Sequence, residues 1–370
     1  MIACQTIVQI LEKWAPKNLA LDWDNPGLAI GDLSENVSKV LLTLTVTLET
    51  VEFAAKNGFE MIISHHPLFF KPLKSLRKDT PLGQIVYEAI NNNIVIYSAH
   101  TNMDAACGGI NDILANVLEL QHIEILKQTY EEKLKKIVVF VPKDYKDAVR
   151  DAMCNAGAGH TGNYSHCSFN VNGIGTFKPL AGSKPFIGQE GKLEKVDEIR
   201  IETIVPESLQ RKVISAMLKT HPYEEVAFDI YPLENSGKAF GLGRIGYIKE
   251  SVSLKDFCKT VKQKLGTSHI RAVGDLNKDI LKVAVCGGAG GDLIQAAIFS
   301  GADVFVTGDL KYHEALDAKA AGIAIIDAGH FSTENLLLPV LKGYLEQEIK
   351  LLNKQAEITI FKNEDPFVII

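Results

Sequence analysis

Between Lys39 and His66 the chain reads KVLLTLTVTLETVEFAAKNGFEMIISHH: a β-rich apolar run, apolar residues at helical spacing, a glycine, then a second buried run. Lys282 to Asp309, KVAVCGGAGGDLIQAAIFSGADVFVTGD, aligns with it without a gap. Each copy predicts a strand, a helix closed by Gly58 or Gly301, and a parallel strand at Met61–Ile63 or Val304–Val306. After one more helix the similarity resumes. AHTNMD (Ala99 to Asp104) matches GHFSTE (Gly329 to Glu334), each following a third strand, Ile94–Tyr97 or Ile323–Ile326. Matching blocks in the same order predict two copies of one α/β lobe.

The pattern changes between the copies. Lys135–Val141, Tyr164–Val171, Val196–Val205 and Glu225–Tyr231 read as strands, while Tyr145–Ala156 and Glu207–Thr220 read as helices. That order, βαββαβ, is ferredoxin-like. The expected organisation is therefore α/β, with duplicated lobes facing each other at 1–128 and 234–370 and an inserted α+β domain at 129–233. Charged residues near Gln128–Lys136 and the polar Leu233–Lys238 mark its edges. Gly173 to Gly191, rich in Gly, Pro and Lys, reads as a long loop within it.

Composition narrows the class. With 370 residues, 23% charged and 46% hydrophobic, the chain is an ordinary globular protein long enough for two or three domains. Its net charge of −6 argues against nucleic acid as a partner. The six cysteines are scattered without C-x-x-C spacing and read as reduced thiols. The N-terminal stretch lacks the features of a secretory signal, and no apolar run is long enough to span a bilayer. A cytoplasmic protein without a membrane partner is the expectation.

In parallel α/β sheets ligands gather at the carboxyl ends of strands, and those ends are rich in metal-binding side chains here. Ser64-His65-His66-Pro67 follows the second strand of the first copy, and His100-x-x-x-Asp104 follows the third. Thr307-Gly308-Asp309 and His330-x-x-x-Glu334 hold the corresponding places in the second copy. A four-residue gap at a helix start sets two side chains on one face. Imidazoles and carboxylates without thiolates suit Zn²⁺, Fe²⁺, Mn²⁺, Co²⁺ or Ni²⁺. Two histidines and an acid meeting a histidine and an acid are too many for one open catalytic ion. They suit two ions about 3.5 to 4 Å apart. The turn Gly287-Gly288-Ala289-Gly290-Gly291 reads either as an anion cradle or as tight packing. Lys71, Lys74, Arg77 and Lys78 read as a solvated loop or as phosphate contacts, and His221-Pro222-Tyr223-Glu224-Glu225 as a helix-to-strand turn.

WDNPGLAIGD (Trp23 to Asp32), ISHHPLFF (Ile63 to Phe70), AHTNMDAACGG (Ala99 to Gly109), TGDLKYHEALDA (Thr307 to Ala318) and DAGHFSTE (Asp327 to Glu334) resemble the Nif-three-like family, whose members carry the name GTP cyclohydrolase I type 2 homologue. The resemblance implies a dimetal centre with His65, His66, Asp104, His330 and Glu334 as ligands, Asp104 bridging, in a homohexameric ring. YSHCSF (Tyr164 to Phe169) and HPYEEVAFDIYPL (His221 to Leu233) look like the CutA-like or PII-like insert of longer bacterial members. Pro26 departs from the family pattern, which affects only its loop.

The leading expectation is a dinuclear divalent-metal hydrolase acting on a nucleotide-like or other phosphorylated small molecule. His100 and His313 are candidates for proton transfer and Asp309 for orienting a ligand. The competing expectation is a non-enzymatic metal-binding ring that stores or senses metal, or binds a partner through its insert.

Overall fold

The computed structural model describes residues 1–368. Two compact units emerge, one formed by Met1–Tyr130 with Phe240–Ile370 as its bounds and one by Glu131–Ala239. No helix among the described residues is long and apolar enough to cross a membrane.

The first unit opens with β1 (Ile2–Ala3) and α1 (Cys4–Trp14), followed by β2 (Gly27–Ile30) and β3 (Asn36–Val37), the last pairing with β1. The first repeat then forms β4 (Lys39–Thr43), α2 (Leu48–Asn57), β5 (Met61–Ser64), α3 (Pro81–Asn91) and β6 (Val95–Ser98). Its strands are parallel, and β2 closes the edge antiparallel to β6. Both faces of β4 and β5 are covered, so Val40–Leu42 and Met61–Ile63 are uninterrupted apolar runs. Two short helices, α4 (Thr101–Ala105) and α5 (Ile110–Val117), lead into β7 (Gln121–Glu131).

The second unit is the insert: β8 (Leu134–Pro142), α6 (Lys146–Asn155), β9 (Phe169–Phe177), β10 (Glu194–Pro206), α7 (Gln210–Thr220) and β11 (Phe228–Pro232). Its antiparallel sheet has the order β11-β8-β10-β9, the ferredoxin-like arrangement. Val149 and Met153 of α6 and Val213 and Met217 of α7 pack on Ile137, Val139, Ile199 and Ile201. Strand β9 begins five residues later than Tyr164 because Thr161 and Tyr164 close a tight turn, with Gly162 and His166 at positive φ. The strand consequently takes in Gly173 and Gly175, residues whose composition reads as loop.

Returning to the first unit, the chain forms β12 (Ala239–Ser253), α8 (Leu254–Leu265), β13 (Arg271–Val273), β14 (Asp279–Ala289), α9 (Ile294–Phe299), β15 (Val304–Gly308), α10 (Tyr312–Ala321) and β16 (Ala324–Asp327). Strands β14, β15 and β16 are parallel and β13 lies antiparallel to β16, as β2 does to β6. The repeat is thus visible in topology as well as in sequence. Helices α11 (His330–Glu334) and α12 (Leu337–Leu351) and strand β17 (Glu357–Ile360) complete the chain.

The lobes are not separate along the sequence. Strand β7, from the amino-terminal part, extends the second sheet beside β12, and β17, from the carboxyl-terminal part, joins the first sheet parallel to β4. Apolar residues of α12 (Leu338, Leu341, Leu345) share a core with Ile7 and Leu11 of α1. One ion pair ties α5 to β12. Arg244, 2% exposed, donates to both carboxylate oxygens of Asp112 at 2.7 Å and to the carbonyls of Gly241, Gly243 and Ala106. Removing one partner strands the other. Asp112→Ala should therefore lower unfolding stability by about 3 kcal/mol; a loss in chemical denaturation below about 1 kcal/mol, the range of an exposed pair, would contradict this.

Candidate metal centre

The carboxyl ends of the two parallel sheets bring the predicted side chains together. Past Ser64 the backbone stays alongside β4, with His65 N–H donating to Thr43 O (3.2 Å) and His66 N–H to Leu44 O (2.8 Å). Both rings turn to one side, their centroids 5.1 Å apart. Asp104 sits in the first turn of α4, and His330 and Glu334 share one face of α11. His65 and Glu334 are buried, at 2% and 4% exposure.

The ring nitrogens reveal what this arrangement is set to hold. His65 Nδ1–H donates to Ala99 O (2.9 Å), His330 Nδ1–H to Asp309 Oδ2 (2.7 Å) and His100 Nδ1–H to Asp24 Oδ1 (2.9 Å), while His66 Nδ1 hydrogen-bonds Thr45 Oγ1 (2.7 Å). The Nε2 atoms of His65, His66 and His330 are left as the inward-facing donor atoms, the presentation in which a metal ligand is oriented by an outer partner. His66 Nε2 and His330 Nε2 lie 3.3 Å apart, and both converge on Glu334 Oε2 at 2.9 and 3.0 Å. His65 Nε2 and Asp104 Oδ1, 3.6 Å apart, are buried without hydrogen-bond partners. No lysine or arginine pairs with Asp104 or Glu334 among the described residues. Orphaned buried polar atoms of this kind require a cation or extra protons.

Electrostatics agree. Burial opposes charge on His65 and His330, but Glu334, with Asp104 for the first and Asp309 for the second, pushes both rings above their ordinary value. His66 is lowered by burial and by its two histidine neighbours. Burial would raise Glu334, yet the three histidines hold it well below the carboxylate range. Asp104 is raised by burial, reinforced by Glu334 and Asp24. Cys286 stands in neither group of candidate donors, and burial pushes its thiol up.

Two groups have donor atoms within 4.8 Å of one another: His65, His66 and His100, and His66, His330 and Glu334. His100 therefore stands in the cluster, where the sequence suggested a proton-transfer group. Burial works against a charged Asp24, but hydrogen bonds from His100 and Thr101 bring its carboxyl down to about 2. His313 is not in the cluster: it lies exposed on the first turn of α10, its ring against Tyr312. Asp309, at φ 55°, meets the cluster through His330, its one hydrogen-bond partner there among the described residues.

Sequence reasoning missed Asp24, Thr45 and the residues behind the glycine turn. The N–H groups of Gly287, Gly288 and Gly290 donate to Asn111 Oδ1, Thr333 Oγ1 and Thr307 Oγ1, so that turn is packing rather than an anion cradle. Gly288, at φ 63°, is also where Glu334 closes in, since a Cβ there would lie 2.2 Å from Glu334 Oε1. Lys71, Lys74, Arg77 and Lys78 are exposed in the loop after His66, with Arg77 paired to Asp79. A cavity of about 800 Å³ opens beside His66 and His330, with Arg271 and the segment 363–368 on its walls. Exposed Trp23 and Phe70 flank His100 with ring centroids at 6.0 and 5.8 Å.

The sequence profile of the family described as Duf34/NIF3 (NGG1p interacting factor 3) matches residues 2–366. A Halalkalibacterium halodurans protein named GTP cyclohydrolase 1 type 2 homolog is 47% identical over 367 residues, covering 99% of this chain and 98% of that one. The Bacillus subtilis protein of the same name is 44% identical over 371 residues, at 99% and 98% coverage. The crystal structure of a Bacillus cereus protein related to NIF3 superposes with a TM-score of 0.94 at 47% identity, covering 100% of this chain and 99% of that one.

Two outcomes are expected of the cluster. Protons held by His65 and His330 compete with a cation, so divalent-metal uptake should strengthen from pH 6 to 8 and release protons. Calorimetry in buffers of differing ionisation enthalpy reads this, and uptake without proton release would contradict it. Gly288→Ala should strip metal from the purified protein, as elemental analysis would detect. Full occupancy in that variant would mean that Glu334 is not a ligand.

Proposed function

The chain belongs to the Duf34/NIF3 family, and from that premise we propose a dinuclear divalent-metal-dependent hydrolase, GTP cyclohydrolase 1 type 2-like, acting on a nucleotide-like or other phosphorylated small molecule. The observation carrying this reading is the set of outer-braced imidazoles facing Glu334 and the buried Oδ1 of Asp104, carboxylates that no lysine or arginine among the described residues pairs with. His65, His66, Asp104, His330 and Glu334 would hold two ions of Zn, Fe, Mn, Co or Ni, with His100 as a sixth donor. Bound divalent cations supply Lewis acidity and stabilise developing negative charge.

The protein's own groups do the rest. Asp309 and Asp24 fix the rings of His330 and His100. Arg271, two-thirds exposed in its side chain while anchored to Asp327 and Leu310 O, places a positive charge on the cavity wall where an anionic substrate group would sit. His313, exposed and apart from the donors, is left out of the chemistry. The proposal extends to a homohexameric, cytoplasmic protein with a CutA-like or PII-like insert, supported by the family resemblance and, for the insert, by its strand order.

Metal-loaded protein should hydrolyse a member of a nucleotide and phosphoester panel, and His65→Ala should abolish metal content and turnover together. No turnover across the panel at full occupancy would favour the metal-storing or metal-sensing alternative. His100→Gln separates two roles: reduced metal content makes it a donor, whereas lost turnover at full occupancy makes it a proton-transfer group.

A further inference from the structure

His221-Pro222-Tyr223-Glu224-Glu225 takes no part in the metal cluster and belongs wholly to the inserted unit. His221 closes the turn after α7, its Nε2–H donating to Phe140 O (2.9 Å) and its Nδ1 accepting from Tyr223 N (3.1 Å). The turn directs Tyr223 at β10, where its hydroxyl donates to Glu198 Oε1 at 3.0 Å. Strand β10 alternates. Ile199 and Ile201 lie under the helices, which puts Glu198 and Arg200 on the opposite face of the sheet.

Glu198 is only 8% exposed. Tyr223 is its one hydrogen-bond partner among the described residues, and no cationic side chain there forms an ion pair with it: Arg200, which lines the same cavity as Lys178 does, is paired with Glu202 at 3.0 Å. Glycine leaves the space in front of it open. Gly173 and Gly175 of β9 pair with Glu198 and Val196. A Cβ on Gly173 would enter empty space, whereas one on Gly175 would lie 2.1 Å from Glu198 Oε2. The resulting cavity of about 560 Å³ is bounded also by the segment after β9, which Glu224 pins by accepting from Lys184 N at 2.8 Å. Phe177 and Phe186 meet Tyr223 with centroids at 5.7 and 6.4 Å, forming an aromatic wall.

A carboxylate buried beside aromatic rings with one neutral donor lacks its countercharge. We propose that this cavity is a binding site for a small organic cation, whose ammonium or amidinium N–H groups meet Glu198 while its apolar body lies against Phe177, Phe186 and Tyr223. The site is independent of the metal centre and of the hydrolase reading.

Calorimetric titration of the full-length, metal-loaded protein tests it, with phenethylammonium and benzamidinium as probes and phenethyl alcohol and 3-phenylpropionate as neutral and anionic controls. At least one cation should saturate one site per chain, and the controls should bind about tenfold or more weakly. Glu198→Gln, which keeps the shape and the Tyr223 contact, should weaken the cation to the level of the alcohol. Gly173→Leu, which extends a side chain into the open space and leaves the carboxylate in place, should abolish binding while thermal unfolding stays unchanged, and it decides the matter if Glu198→Gln does not fold. Cations binding no better than the alcohol, no binding by either cation, or wild-type affinity in the folded variants would overturn the proposal.

Discussion

Glu334 and the buried Oδ1 of Asp104 face His65 Nε2, and no lysine or arginine among the described residues pairs with either carboxylate. Isolated carboxylates in such surroundings are costly unless protons on the facing imidazoles or a bound cation offset them. Each histidine is braced from behind, by Ala99 O, Thr45, Asp24 or Asp309, so the rings cannot rotate away without breaking a second hydrogen bond. The fold holds an electron-rich focus open, and a cation is the simplest species to fill it.

Much of the remaining architecture serves to keep that focus in place. Duplication sets two equivalent strand ends against each other, so that His100-x-x-x-Asp104 and His330-x-x-x-Glu334 arrive on short helices from opposite lobes. The exchange of β7 and β17 between the sheets, the core shared by α1 and α12, and the buried Arg244–Asp112 pair bind the lobes into one unit. Gly288 is the narrowest point, where backbone and Glu334 come too close for any side chain.

The sequence made the repeated strands legible because buried parallel strands leave continuous apolar runs, and the metal-binding residues because they follow those runs directly. Asp24 was not legible: it precedes β2 and reaches His100 and Thr101 only through the tertiary fold. Thr45, Thr307 and Thr333 are equally ordinary in sequence, their roles being set by backbone groups brought near from elsewhere. The strand exchange escaped for a related reason, since periodicity specifies an element but not its sheet. Strand β9 shifted because its glycines resemble loop composition while they make room beside Glu198. His313 stands differently: near Asp309 in sequence, it is exposed and belongs to neither donor group.

X-ray absorption at the metal edge of the protein as purified tests the central claim most directly. A first shell of nitrogen and oxygen with imidazole outer-shell scattering, lost in Glu334→Gln, is the predicted result. A sulfur-containing shell, or a nitrogen and oxygen shell that survives that substitution, would place the metal elsewhere and contradict the account.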